Sequence, residues 1–262
     1  MSLLEVSHLS KSFGGLKAVD DVSFSVAAGE LLALIGPNGA GKSTTFNMVN
    51  GQLRADAGSI RLGNTDITRL APRAIWRLGV GRTFQIAATF ASLTVIENVQ
   101  MALLSVDGRI FSMWRNAASH RRDDAMALLA QVGMSAQADR PCSELAYGDV
   151  KRVELAIALA NSPKLLLMDE PTAGMAPPER NALMALTRSL AQQKNIAVLF
   201  TEHSMDVVFA YADRIIVLAR GRLIASGAPQ AVRDDPLVQQ VYFGSGKTFE
   251  TTAADHHREV PA

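Results

Sequence analysis

The chain has 262 residues, 48% hydrophobic and 19% charged, with a formal net charge of +1. This is globular composition with ample apolar material for a core, and without a basic excess nucleic acid is not an expected partner. No apolar run approaches the roughly 18 residues that span a bilayer, and the single cysteine, Cys142, excludes an internal disulfide and suits a cytoplasmic setting.

The start, Met1-Ser2-Leu3-Leu4-Glu5, has neither a basic n-region nor a long apolar stretch, so secretion is not expected. Alternation predicts strands over 4–9 and 22–26. After a turn at Ala28-Gly29-Glu30, the apolar run 31–35 predicts a buried strand. It leads into Gly36-Pro37-Asn38-Gly39-Ala40-Gly41-Lys42-Ser43-Thr44. Strand, glycine-rich turn and helix are the context a phosphate-binding loop requires. Its glycines let backbone N–H groups close on a polyphosphate, and the following helix, over 42–49, adds the positive end of its dipole. Lys42 is placed to reach the β- and γ-phosphates, and Ser43 to offer its hydroxyl to Mg²⁺.

Gly51 ends that helix, and 58–62 predicts a further strand closed by Gly63-Asn64. From Thr94 to about Gly133 the pattern is mostly helical, starting at a capping box, Thr94-Val95-Ile96-Glu97. Within it, Phe111, Met113 and Trp114 stand close to Arg115, Arg121 and Arg122. They read as an amphipathic helix with a solvated basic face or as a docking surface for another protein. Beyond Tyr147 helices and strands alternate: helix 153–159, strand 165–168, helix 178–192, strand 196–200 and strand 215–219. That order predicts an α/β fold with a largely parallel sheet covered on both faces. The polar stretch 245–262 is expected to be a mobile tail, and its His256-His257 pair lacks further metal ligands.

The run 165–168 ends in Asp169-Glu170, at the strand end where open α/β sheets place ligands. Asp169 is assigned to Mg²⁺, directly or through water, and Glu170 to general-base or water-positioning work.

With these residues in hand, the chain over residues 3–244 resembles the ATP-binding subunits of ABC transporters. The loop 36–44 matches the Walker A motif, and 165–170 the Walker B segment. Gln85, in Arg82-Thr83-Phe84-Gln85, matches the Q-loop. Leu145-Ala146-Tyr147-Gly148-Asp149 stands in place of the signature, just before a helix. His203 stands at the switch histidine, and Phe13 at the adenine-stacking aromatic. The resemblance implies a P-loop NTPase fold: an ABC ATPase domain over 1–244 with a mostly parallel core sheet, an N-terminal antiparallel part and a helical subdomain at about 86–160. It implies ATP and Mg²⁺ as cofactors, catalytic roles for Glu170, His203 and Gln85, and metal contacts from Ser43, Gln85 and Asp169. It also implies nucleotide contacts from Phe13, Gly36, Asn38, Gly39, Ala40, Gly41, Lys42, Ser43 and Thr44. Tyr147 and Gly148 would serve the ATP held by a second subunit, paired head to tail.

The signature departs from the usual Leu-Ser-Gly-Gly-Gln: Ala146 lacks the serine hydroxyl, and Tyr147 and Asp149 replace glycine and glutamine. Asp149 is expected to point away from phosphate. Ala176 stands where the D-loop usually carries Asp or Asn. Together with Gly79-Val80-Gly81-Arg82-Thr83-Phe84-Gln85 and Val241-Tyr242-Phe243-Gly244, the Leu-Ala-Tyr-Gly run resembles the branched-chain amino-acid uptake branch, in the longer of its two ATPases. Importers of urea and related amides share the pattern. The resemblance then implies a second ATPase subunit, two permeases and a periplasmic binding protein as partners, with this chain peripheral on the cytoplasmic face of the inner membrane. An exporter ATPase and a soluble, non-transport ABC ATPase are the rival readings.

Overall fold

The chain opens with two long strands, β1 (Ser2–Phe13) and β2 (Leu16–Ala27), then β3 (Leu31–Ile35) and α1 (Lys42–Val49). The structure, a computed structural model, describes residues 2–83, 89–107 and 121–243. Next come β4 (Ala57–Leu62), β5 (Thr65–Asp66), α2 (Pro72–Arg77) and β6 (Val80–Thr83). The helical middle contributes α3 (Val95–Val106), α4 (Arg122–Gln131) and α5 (Tyr147–Leu159). The last part runs β7 (Leu165–Asp169), α6 (Pro177–Lys194), β8 (Ala197–Thr201), α7 (Met205–Tyr211), β9 (Arg214–Ala219), β10 (Arg222–Gly227), α8 (Pro229–Arg233) and α9 (Pro236–Phe243).

These strands form two sheets. One is four-stranded and antiparallel, in the order β2-β1-β4-β5. The other has six strands in the order β10-β9-β3-β8-β7-β6, parallel except where β10 pairs with β9. Every residue of β3 and β8 is buried, and their side chains divide by parity. Leu31, Ala33, Ile35, Val198 and Phe200 enter a core shared with α3, α5 and α6. Leu32, Leu34, Ala197 and Leu199 enter a second core with α1 and the antiparallel sheet. A strand covered on both faces has no solvated side to make polar, hence the unbroken apolar runs. Each such leucine, isoleucine, valine or phenylalanine contributes about 1.5–3 kcal/mol on burial.

The capping box is present. Thr94 Oγ1 accepts from Glu97 N at 3.3 Å, and Glu97 Oε2 accepts from Thr94 N at 2.8 Å. Several expected boundaries shift. The first two strands extend beyond 4–9 and 22–26, because pairing in the antiparallel sheet carries them past their apolar cores. Helix α5 starts at Tyr147 rather than 153, so the Tyr-Gly-Asp of the signature lies inside its first turn. The short strands β6 and β10 have no clear alternation and are set by pairing with β7 and β9.

Arg121 and Arg122 both engage acids of their own chain. Arg121 meets Asp124 at 2.7 Å and Asp107 at 3.2 Å, and Arg122 meets Asp139 at 2.8 Å. Phe111, Met113, Trp114 and Arg115, the tail 245–262 and Gln85 lie outside the described residues. Among the described residues no helix is long and apolar enough to cross a membrane.

Candidate functional site

Strands β3, β8 and β7 are adjacent and parallel, so the turns that follow Ile35, Thr201 and Asp169 open at one edge of the sheet. Ligands of open α/β folds bind at that edge. The turn after β3 is the glycine-rich loop. At Gly41 the backbone is left-handed, φ 104°, and a Cβ would run into the Ala18 carbonyl of β2, so only glycine fits. A Cβ on Gly39 would meet nothing within 4 Å, which leaves that side of the loop open to a ligand. Gly221 N donates to Ala40 O at 3.0 Å and ties the loop to the β9–β10 turn.

Lys42 opens α1 with its side chain folded back over the loop. The ammonium donates to Gly36 O at 2.6 Å and Pro37 O at 3.2 Å. Burial draws its pKa below the usual lysine range, while Glu170 and Asp169 oppose that shift. Gly36 sits behind the loop, where its backbone also meets the Tyr242 hydroxyl of α9. Burial pushes that phenol well up.

The two carboxylates after β7 have different surroundings. Asp169 Oδ1 accepts from Thr201 Oγ1 at 2.8 Å, and Oδ2 faces Arg82 Nη2 at 3.6 Å. Glu170 takes a left-handed backbone, φ 47°, a conformation that costs a non-glycine residue about 1–2 kcal/mol. Thr201 secures it, because Glu170 N donates to the Thr201 carbonyl and hydroxyl at 3.1 Å each. The Glu170 carboxylate then accepts from His203 Nε2 at 2.8 Å. The side chains of Asp169 and Glu170 thus serve different partners although they are neighbours in sequence.

A cleft of about 590 Å³ lies over the loop, lined by residues 38–44 with Phe13, Leu16, Glu170, His203 and Arg220. Phe13 closes it from the end of β1 and is 49% exposed, so it is no core residue and its ring face is available for a flat base. The structure therefore assembles Phe13, Asn38, Gly39, Ala40, Gly41, Lys42, Ser43, Thr44, Glu170 and His203 around one space. Asp169 lies close behind, within the electrostatic reach of Lys42.

Ser43, exposed at the start of α1, and Asp169 are hard oxygen donors and fit Mg²⁺. Among the described residues no group of three or more His, Cys, Asp or Glu could hold a metal alone.

Tyr147 and Gly148 do not line the cleft. They start α5, where Ala146 occupies the N-cap with φ −63°, ψ 151° and no side-chain cap. Gly148 is buried in its own chain, with Glu179 and Met175 side-chain atoms 3.4–3.5 Å from where a Cβ would stand. Tyr147 is 43% exposed and packs beside Gly174. Asp149 falls in the first turn of α5, where an acid complements the helix dipole.

Sequence reasoning missed three residues of this site. Arg82 and Thr201 grip Asp169, as described. Glu202, 3% exposed, accepts from Thr172 N at 2.8 Å, Thr172 Oγ1 at 2.6 Å and His203 N at 3.2 Å. It pins the turn after Glu170 to the turn that carries His203. The one available signal was position: Thr201 and Glu202 directly follow a wholly apolar strand, where a polar pair must face a site or a partner.

Residues 19–173 match the family described as ABC transporter, and residues 222–248 match the family described as Branched-chain amino acid ATP-binding cassette transporter. The chain is 38% identical over 249 residues to the high-affinity branched-chain amino acid transport ATP-binding protein LivG of Escherichia coli (strain K12), covering 92% of this chain and 98% of that one. It is 36% identical over 249 residues to the corresponding BraF of Pseudomonas aeruginosa, again covering 92% of this chain and 98% of that one. Among solved structures, an ABC-transporter ATP-binding cassette in its ADP conformation superposes with a TM-score of 0.84 at 34% identity. That match covers 93% of this chain and 99% of the other.

Proposed function

Since the chain belongs to the ABC transporter family of ATP-binding subunits, we propose that it binds and hydrolyses ATP to energise an importer of branched-chain amino acids. The match of residues 222–248 to the branched-chain cassette family supports that substrate class. The observation that carries the chemistry is the 2.8 Å contact between Glu170 and His203 at the mouth of the phosphate-loop cleft.

Phe13 stacks the adenine, and the loop N–H groups with Lys42 hold the polyphosphate. Ser43 and Asp169 would hold Mg²⁺, which would neutralise phosphate charge there. Gln85 is assigned a third contact there. Glu170 accepts the proton of the attacking water, and His203 keeps the carboxylate aimed and donates toward the γ-phosphate. Preorganised donors around developing charge are the main source of catalysis in such sites.

Tyr147 and Gly148 lie outside the chain's own cleft, so the start of α5 is assigned to the ATP of a second ATPase subunit. The full assembly then joins two transmembrane permeases and a periplasmic binding protein, with this chain peripheral on the cytoplasmic face of the membrane. The test is uptake of labelled leucine by cells carrying the chain with its neighbouring permeases. Wild type should support uptake and Glu170→Gln should abolish it. Hydrolysis without leucine uptake, but with urea uptake, would move the substrate to the amide class.

A further inference from the structure

Arg82 is the one cation besides Lys42 that the described residues place against the Walker B aspartate. It stands on β6, beside β7, with its side chain only 11% exposed. Nη1 donates to Gln52 Oε1 at 2.8 Å, and Nη2 to Asn47 Oδ1 at 3.2 Å. Nη2 also faces Asp169 Oδ2 at 3.6 Å, and the guanidinium lies 5.2 Å from the centre of the Phe46 ring. Asn47 and Phe46 belong to α1, the helix that begins with Lys42 and Ser43. One planar fork thus bridges the helix carrying Ser43 and the strand carrying Asp169.

We propose that Arg82 is a positioning residue that shares the Asp169 carboxylate with the metal and thereby sets how strongly Mg²⁺ assists nucleotide binding. This rests on the reading of Asp169 as a metal-holding group. A carboxylate already facing a fixed guanidinium has less negative potential to offer a second cation, and two like charges drawn to one carboxylate oppose each other. The same guanidinium favours metal-free nucleotide, which carries more negative charge. Both effects reduce the advantage that Mg²⁺ confers. The guanidinium also ties α1 to β6 through its hydrogen bond to Asn47, and β6 pairs with β7, so the helix carrying Ser43 is fixed relative to the strand carrying Asp169.

The measurement is the ratio of the dissociation constants of a fluorescent ADP analogue in EDTA and in saturating Mg²⁺, taken on the full chain so that turnover does not enter. Arg82→Gln should raise this ratio roughly tenfold or more, because a guanidinium beside a carboxylate lowers its proton affinity by about a factor of ten or more, and a metal cation feels the same potential. Arg82→Lys, which keeps the charge, should stay within about twofold of wild type. Gln52→Glu, at an exposed position, keeps every contact while drawing on the guanidinium's charge. It should move the ratio in the same direction by less, and it serves if Arg82→Gln does not fold. Asp169→Asn should bring the ratio toward one, and an unchanged ratio there would remove the metal from Asp169. If Asp169→Asn acts while a folded Arg82→Gln and Gln52→Glu leave the ratio unchanged or lower it, the role given to Arg82 is wrong.

Discussion

The phosphate loop and the start of α5 both carry a buried glycine, Gly41 and Gly148, but the fold treats the two positions differently. At Gly41 the chain itself forbids a side chain: the backbone is left-handed and the Ala18 carbonyl occupies the Cβ position. At Gly148 the chain allows one, since a Cβ would make ordinary contacts with Glu179 and Met175. The loop is therefore shaped by its own fold, tied to β2, to the β9–β10 turn and to Lys42. The start of α5 carries a glycine that its own fold does not require; the proposed contact with a second subunit's ATP would supply the missing reason.

Mutations on the two sides should behave accordingly. The largest effect belongs to Glu170→Gln, which removes the proton acceptor. Steady-state hydrolysis should fall by about 10²–10⁴-fold while nucleotide affinity stays near wild type; near-normal turnover would take Glu170 out of the base role. Lys42→Ala should weaken nucleotide binding by roughly two orders of magnitude or more, since two charge-assisted hydrogen bonds are worth about 1.5–3 kcal/mol each. Titration of a fluorescent nucleotide reads this directly.

The glycine pair sharpens the contrast. Gly41→Ala should destabilise the isolated chain by at least about 1–2 kcal/mol, from the left-handed backbone alone, and urea unfolding measures it. Gly148→Ala should leave that curve unchanged or move it up by as much as about 1 kcal/mol, because alanine is the better helix former. It should still impair ATP-driven pairing with a second ATPase subunit, followed by light scattering in the Glu170→Gln background. Loss of fold stability in Gly148→Ala, with pairing intact, would erase the distinction.

Ala146→Ser gives the smallest effect and the finest test. Because Ala146 is the N-cap of α5, a serine there should stabilise the chain by about 1 kcal/mol even as a monomer. A gain in ATP-driven pairing beyond that shift is the share owed to a hydroxyl reaching the partner's phosphate. Equal shifts in both measurements would assign the whole effect to the cap.

Much of the site was legible because its signals are local. A glycine-rich turn after an apolar strand, an Asp-Glu pair at a strand end and the Thr94–Glu97 box each depend on residues a few positions apart, and each stands where local chemistry put it. Phe13 required the family pattern, since alternation alone cannot tell a core ring from one lining a cleft. Arg82 gave no such signal, and Thr201 and Glu202 gave only their place after an apolar run. Arg82 and Asp169 are far apart in sequence and meet because β6 pairs with β7, while Thr201 meets Asp169 through the pairing of β7 with β8.

The sequence by itself determined where phosphate chemistry sits, which strands are buried on both faces, and the family to which the whole belongs. Those properties follow from short-range spacing and from the removal of apolar side chains from water, both written along the chain. Tertiary structure alone decided which groups orient the Walker B carboxylates, where α5 begins, and which glycines the fold itself demands. Those depend on the order and register of strands joined across long separations, where a shift of one residue would carry Thr201 away from Asp169 and send its side chain to the other face.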